Sequence, residues 1–379
     1  MCQNVRAPSS KELADPVLSP AHHSELFKTL LAKYAPDVVG VQEAKSVWQD
    51  IFPAYEQDAG YDYVAATKIN PDAQGYTAIL YKTNRFSLLE EGVFWLTDTP
   101  SVPSTIVNRY MRNCTWVHLL DKQTGNVLYV FSTHLHDPMG AEADQVRAQQ
   151  TAYLLTNIAK VTAQHPNDPV LITGDFNARP DNDPNGTNNC YNMDLEKQMN
   201  AASFRDVRVE TKYGPTGSYH GWGKYSTILD YMFVSKAWTI RDFAVLEEKV
   251  NDEYVSDHYA LLTHLALPVT YTVTFAPGAQ GSGTQAPLTK QAGAALTLPQ
   301  AAFTRAGYHQ TGWATQENGA LVYALGAAYT TDANVTLYPV WTKDAAPLVI
   351  TKQSTDQTID EGQTATFSVA ATGDDVAYQ

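Results

Sequence analysis

Three acids, Glu43, Asp175 and Asp257, and two histidines, His134 and His258, each stand at the end of a short apolar stretch. Carboxylates are hard oxygen ligands, suited to Mg²⁺ or Mn²⁺ rather than to zinc. Histidine is the side chain most easily poised for proton transfer near neutral pH. Asn177 lies two residues from Asp175, on the same side of an extended chain, and donates a hydrogen bond where a carboxylate cannot. Together these groups suit attack of water on a phosphorus ester, in which a metal offsets the charge on the equatorial and leaving oxygens. Singly, each has a plainer role. Asp-Phe-Asn after a strand is often a turn whose side chains cap their own backbone, and Ser256-Asp257-His258 reads equally well as a cap. Jointly, the plainer explanation needs the same coincidence at one strand end after another.

Such residues need strands that end side by side. Residues 37–41, DVVGV, form a β-branched run that reads as a buried strand ending at Gln42-Glu43. Residues 77–81 read as a second strand, and 127–132 as a third that leads to Thr133-His134. Residues 170–173 lead to Gly174-Asp175-Phe176-Asn177, and 229–234 carry Asp230 near the start. Residues 254–257 enter Asp257-His258 ahead of the apolar Ala260-Leu261-Leu262. Helices are expected at 24–35, with Ser24 as N-cap, Leu26, Leu30 and Tyr34 on one stripe and Pro36 beyond, and at 141–160, with Val146, Tyr153, Leu154 and Ile158 inward. Strands interleaved with helices indicate an α/β or mixed-sheet domain.

Composition sets limits on the partner. The chain has 379 residues and a formal charge of −14, so it is a poor candidate for holding nucleic acid by charge alone. Hydrophobic content of 44% with 17% charged residues is that of a globular protein, and no apolar run is long enough for a transmembrane helix. Residues 269–379 hold only 4 of the 26 bases and 8 of the 40 acids and are rich in Thr, Ala, Gly, Tyr and Val, which marks a domain boundary. Cys2, Cys114 and Cys190 are odd in number and fit no metal spacing, so buried free thiols are expected.

The motifs Gln42-Glu43, Thr133-His134-Leu135, Gly174-Asp175-Phe176-Asn177, Leu229-Asp230-Tyr231 and Ser256-Asp257-His258 occur in this order. In order and spacing, residues 1–266 resemble the endonuclease/exonuclease/phosphatase superfamily, best known from pancreatic deoxyribonuclease. Residues 92–100, GVFWLTDTP, and Cys114-Thr115-Trp116 are similar to stretches of a bacterial subgroup of it. The resemblance implies an α/β (α+β) fold, a four-layer sandwich of two packed mixed β-sheets flanked by helices. It also implies a Mg²⁺ cofactor, with Mn²⁺ or Ca²⁺ as substitutes. Glu43 would then be the principal metal ligand, joined by Asn4 and Asp257. Asp175 would orient or deprotonate the attacking water, and Asn177 would hold the phosphate. Asp230 would pair with His258, and His134 would contact the phosphate or serve the leaving group.

Three departures stand out. The family's Thr-His-Leu-Asp-His is Thr-His-Leu-His136-Asp137 here. Where many relatives carry a glutamate to pair with the first histidine, Gln74 and Gly75 stand. The first strand should precede Asn4, where only Met1-Cys2-Gln3 stand, so it is expected to be truncated and any secretion signal to lie upstream.

Domains are therefore expected at 1–268, 269–343 and 344–379. Residues 271–341 resemble a Listeria–Bacteroides repeat, a small all-β, β-grasp-like module, through Phe275, Gly307-Tyr308, Gly312-Trp313, Tyr329 and Leu337-Tyr338-Pro339-Val340-Trp341. Residues 347–379 resemble the start of a bacterial immunoglobulin-like domain, with an alternating strand at 365–370. Such modules imply a secreted or cell-surface multidomain protein whose tail contacts cell wall or host surface.

The leading expectation is a monomeric, secreted, Mg²⁺-dependent phosphoesterase, foremost a nuclease that binds nucleic acid transiently. The rivals are a phospholipid (sphingomyelinase-like) or sugar-phosphate phosphatase and a surface adhesin with a degenerate enzyme domain. Arg109 and Arg112 are candidates for an auxiliary phosphate contact, and His220 and Trp222, in a Gly- and aromatic-rich loop, for stacking on a base or sugar. The polar loop 181–192 follows the Asp-Phe-Asn motif and is a candidate for substrate selection.

Overall fold

The computed structural model describes residues 1–71, 76–107, 110–137, 140–179, 195–214, 216–267, 269–374 and 376. It divides into two compact units, Met1–Pro268 and Val269–Gln379. In the first unit, one six-stranded sheet comprises β1 (Cys2–Asn4), β2 (Val38–Gln42), β3 (Tyr61–Ala65), β4 (Ala78–Lys82), β11 (Thr239–Leu246) and β12 (Ala260–Ala266), ordered β11-β12-β1-β2-β4-β3. The other comprises β5 (Phe86–Trp95), β6 (Asn113–Asp121), β7 (Val127–His134), β8 (Val170–Asp175), β9 (Phe204–Asp206) and β10 (Asp230–Ser235), ordered β5-β6-β7-β8-β10-β9. Both sheets are mixed, since β1 runs parallel to β2 and β7 parallel to β8. The helices are α1 (Ser10–Ala14), α2 (Pro20–Tyr34), α3 (Ser46–Ala59), α4 (Ala66–Ile69), α5 (Ala141–Val161), α6 (Leu195–Ala201) and α7 (Val207–Glu210).

Three apolar layers hold the sandwich together. Leu26, Phe27, Leu30 and Leu31 of α2 and Phe52 of α3 pack on Val39, Val41 and Leu80 of the first sheet. Cys2, Ile79, Val117, Val130, Leu171, Met232 and Leu261 fill the space between the sheets. Leu154 and Ile158 of α5, with Leu195 and Met199 of α6, cover Tyr129, Phe131 and Ile172 on the outer face of the second sheet. The order helix, sheet, sheet, helix is the four-layer sandwich expected. At Gly40 on β2, an added Cβ would meet Thr173 Oγ1 of β8 at 1.7 Å, so the two sheets touch there with room for hydrogen only.

Helix α2 starts one turn earlier than its apolar stripe predicts. Ser19, not Ser24, is the N-cap, its hydroxyl accepts from His22 N at 3.3 Å, and Pro20 takes the first turn. Capping and proline carry that turn, which has few apolar residues to mark it. The strand ends are as read: Glu43 follows β2, His134 and Asp175 close β7 and β8, and Asp230 opens β10. Among the described residues no helix is long and apolar enough to cross a membrane. Cys2 and Cys114 are buried and free.

In the second unit, β13 (Thr270–Phe275), β14 (Leu288–Gln291), β16 (Tyr308–Ala314), β17 (Tyr323–Ala324) and β19 (Val335–Lys343) form a five-stranded sheet, and β15 (Leu296–Thr297) pairs with β18 (Ala328–Tyr329). Val273, Phe275, Trp313, Tyr329 and Leu337 make its core. The strand expected at 365–370 is displaced. Only β20 (Val349–Lys352) and β21 (Ala370–Thr372) form, as one antiparallel pair. Among the described residues no second sheet faces this pair and Leu348, Ile350, Phe367 and Val369 are exposed, so the immunoglobulin-like expectation gains no support.

One buried acid away from these strand ends sets a pH dependence of stability. Asp206 caps α7, accepting from Arg208 N at 2.8 Å. Burial raises its carboxyl to about 7, against the opposing hydrogen bond from Arg208. A raised acid binds its proton more tightly in the folded state. Its contribution to stability is therefore lost as pH climbs from about 4 to about 7. Asp206→Asn keeps the capping oxygen without the charge. Its stability relative to the parent protein is expected to improve between pH 5 and pH 7 and level off above, by about 2 kcal/mol in all, read as a widening Tm difference. Thermal melts at several pH values check this, and a constant difference between the two proteins refutes it.

Candidate active site

The two sheets each bring half of the site. The first contributes Asn4 at the end of β1, Glu43 after β2, and Asp257 and His258 just before β12. The second contributes His134, Asp175 and Asn177 from the ends of β7 and β8, with Asp230 directly opposite Asp175 in the ladder. Hydrogen bonds cross between the halves. Asn4 Nδ2 donates to Glu43 Oε1 and to Asp175 Oδ2, both at 3.0 Å, and His258 Nδ1 lies 2.7 Å from Asp230 Oδ2. Gln3 Nε2 donates to the His258 carbonyl at 3.1 Å, and Gln42 Nε2 to Ser132 Oγ at 3.0 Å.

Asp175 is the hub. Its Oδ1 accepts from Asn177 N at 2.9 Å, and its Oδ2 stands 3.6 Å from His134 Nε2 and 3.8 Å from His258 Nε2. Asn177 Nδ2 contacts His134 Nε2 at 3.0 Å and donates to the Leu135 carbonyl at 3.2 Å. Glu43 Oε2 accepts from Ala7 N at 2.6 Å. Backbone conformation is unusual where the strands end: Arg6, Glu43 and Asn177 have φ of 68°, 61° and 49°. Non-glycine residues rarely adopt this left-handed region, and three of them cluster at one rim.

Burial and neighbouring charge separate the protonation states. Burial opposes charge on His258, yet Asp230, Asp175 and Asp257 outweigh it and lift the imidazole to about 10. Burial pushes His134 well below its ordinary value, and the positive charges of Arg112 and His258 push the same way. Burial and then Asp230 raise Asp175 to about 7, with His258 pulling it down. One ring is thus cationic, the other neutral, and the acid between them lies near neutrality.

Donor atoms of Glu43, His134 and Asp175 lie within 4.8 Å of one another, as do those of Asp175, Asp230 and His258. Buried carboxylates with an imidazole are of a kind that holds a divalent cation. The first set fits such an ion better, because in the second the His258 proton already answers Asp230. The other two expected ligands, Asn4 and Asp257, border this set. Asp257 Oδ2 faces Arg6 Nη1 at 3.5 Å, and Asn4 presents its NH₂ group to the carboxylates while its oxygen accepts from Arg6 N.

For the loop of His220 and Trp222, the alternative to stacking is a solvent-exposed loop with one buried ring, and the structure has that buried ring at His220. His220 is 2% exposed and packs against Tyr254 and Tyr259, with ring centroids 4.3 and 4.0 Å away. It is core and is not free to stack on a base. Trp222 is half-buried with its ring 5.4 Å from that of His23. The aromatic of that loop beside the site is Tyr219, whose ring lies 5.0 Å from His258. Arg112 is buried, pairs with Asp137 at 3.3 Å, and is close enough to Glu43 and Asp175 to interact electrostatically. Arg109, Gln74, Gly75, Cys190 and residues 181–192 lie outside the described residues. Two residues were missed from the sequence, Tyr219 and Arg6. The only signal for Arg6 was its place two residues after Asn4.

Residues 2–258 match the model of the Endonuclease/Exonuclease/phosphatase family, and residues 271–340 that of the Listeria-Bacteroides repeat domain. No curated protein sequence matches the chain. Solved structures share the fold. A mannosyl-6-phosphatase of Bacteroides thetaiotaomicron aligns at 21% identity with a TM-score of 0.58, over 70% of this chain and 98% of its own. The human Nocturnin catalytic domain aligns at 20% and 0.51, over 70% and 89%. Danio rerio TDP2 complexed with single-strand DNA product aligns at 19% and 0.51, over 70% and 97%. With the family's match covering most of the chain and ending on His258 itself, the chain belongs to the Endonuclease/Exonuclease/phosphatase family.

Proposed function

We propose that the chain is a divalent-metal-dependent hydrolase of phosphate esters that directs a water molecule in line with the leaving oxygen. The observation that carries this reading is the line Asp230–His258–Asp175 beside Glu43, joined by contacts of 2.7 and 3.8 Å. Glu43, with the Asp175 carboxylate within reach, would hold Mg²⁺ through oxygen, and Asn4 would brace both carboxylates. The ion supplies charge to polarise the phosphorus centre and steady the leaving oxygen. Asp175, its Oδ1 held by Asn177 N at 2.9 Å, would orient the attacking water. His258, held cationic by Asp230, faces the charge that builds on the equatorial oxygens. His134, its pKa lowered by burial and by the Arg112 and His258 charges, lends no charge and lies against the Asn177 amide, which would have to turn from it to reach the phosphate. Asp257 keeps Arg6 at the rim, where its guanidinium meets the incoming anion.

Phosphodiesters of nucleic acid, bound transiently, are the first substrates to test. A small sugar-phosphate monoester is a second reading, favoured by the pairing of the nearby guanidiniums. Arg6 is shared with Glu12 and Asp257, and Arg112 with Asp137, so among the described residues these guanidiniums suit one phosphate better than a polyanion. The Listeria-Bacteroides repeat supports a secreted or surface setting. Turnover of plasmid DNA, RNA, sphingomyelin, mannose 6-phosphate and p-nitrophenyl phosphate with Mg²⁺ or EDTA tests the reading. EDTA is expected to abolish turnover and Glu43→Gln to lower it by roughly 10²-fold or more. Undiminished turnover in EDTA overturns the proposal, and the preferred ester separates its two forms.

A further inference from the structure

Away from this site, the outer face of the second sheet carries another cluster of ligating side chains. Glu90 on β5 lies opposite His118 on β6, and His118 opposite Tyr129 on β7, so the three form one transverse row on one face. A bulge between Leu88 and Glu90 sets Glu90 in that register. Tyr129 belongs to the core beneath α5, which identifies the face. The chain leaving α5 brings His165 and Asp168 over the row. The His118 and His165 rings are 5.1 Å apart, and Asp168 Oδ2 lies 2.9 Å from His118 Nε2. One donor atom each from Glu90, His118 and His165 falls within 4.8 Å of the others. The row is five residues along β7 from His134, about 16 Å at the strand rise, and so is a separate place.

A second observation points to a ligand. Tyr129 is fully buried, and among the described residues its hydroxyl has no hydrogen-bond partner. Its ring lies flat on His118, centroids 3.9 Å apart and planes 3° apart. Burial first, then the carboxylates of Glu90 and Asp168, raise the pKa of that hydroxyl, which places both acids near it. Among the described residues, none of Glu90, His118, His165 and Asp168 is ion-paired to a lysine or arginine. Two imidazoles, two carboxylates and an unpartnered phenol thus lie together on this face, with no lysine or arginine paired to them among the described residues.

We propose that Glu90, His118 and His165, with Asp168 bound to the His118 ring, form a transition-metal site of the zinc type that ties the end of α5 to the sheet. Mixed nitrogen and oxygen donors with two imidazoles suit zinc, whereas Mg²⁺ favours oxygen alone. A carboxylate on one imidazole nitrogen fixes the tautomer and raises the basicity of the ring. Glu90 and His165 are exposed, which gives the ion a way in, while His118 is buried beneath them.

The test uses the full chain, stripped with a chelator and carrying Glu43→Gln so that the hydrolytic site is weakened, and titrated with Zn²⁺ in excess Mg²⁺. Calorimetry is expected to find one equivalent of zinc bound at micromolar affinity or tighter. Tm should rise by about 5 °C when zinc is in large excess over Kd. Adding His165→Ala or Glu90→Gln should weaken zinc at least tenfold with an unchanged far-UV spectrum, as befits exposed residues. Failure of the Glu43→Gln protein to bind zinc, or equal affinity after His165→Ala, overturns the proposal.

Discussion

Replacing His258 with alanine is expected to lower kcat for phosphoester hydrolysis by about 10³-fold and to leave KM within a few-fold. The ring is 5% exposed, held by Asp230 at 2.7 Å, and kept protonated by three surrounding acids. Its charge is thus already in place before charge develops on the substrate, which is where preorganised electrostatics gains most. Asp230→Asn should cost less, about 10²-fold, because the ring remains but loses the partner that fixes its proton and its orientation. Stopped assays on the preferred ester, with circular dichroism to show an intact fold, decide the matter. If the alanine variant keeps a tenth of the parental rate, His258 is not part of the chemistry.

The second large effect is on stability. Gly40→Ala places a methyl group where Thr173 Oγ1 would be 1.7 Å and Thr173 Cβ 2.8 Å away. Neither partner has room to retreat, since Gly40 lies between β1 and β4 and the Thr173 hydroxyl donates to the Phe131 carbonyl at 3.1 Å. Overpacking at such a contact costs about 3 kcal/mol, or roughly 6–12 °C in Tm for a unit of this size. Adding Thr173→Ala removes the nearest atom and should restore about half of the loss. A double-mutant cycle by thermal or urea unfolding measures this. Gly40→Ala with parental stability would mean that the sheets can part there at no cost.

Much of this was legible in the chain. The strands β2, β7, β8 and β10 are short continuous apolar runs, as strands buried on both faces must be, and each meets its polar residue at the end that forms the site. What stayed hidden depended on partners distant in sequence. Nothing local announces that Asp257 answers Arg6, a contact between the ends of the neighbouring strands β1 and β12, or that Asn4 offers nitrogen rather than oxygen to the carboxylates. His220 looked like a loop residue by its glycine-rich surroundings, and only the packing of Tyr254 and Tyr259 against it shows that it is core. The row Glu90–His118–Tyr129 is invisible for a related reason. A bulge shifts the register by one residue, and alternation read along a single strand cannot detect that.

The division of the site between two sheets has a consequence for when the protein becomes competent. Asn4 and Asp175, one from each sheet, are 171 positions apart in the chain. No early, local folding event unites them, because contacts of such separation form late. A chain still emerging, or one with a single sheet formed, has at most half of its carboxylates and histidines gathered. The hydrolase is thereby silent until its last long-range docking step, and its activity is a direct report that folding is complete.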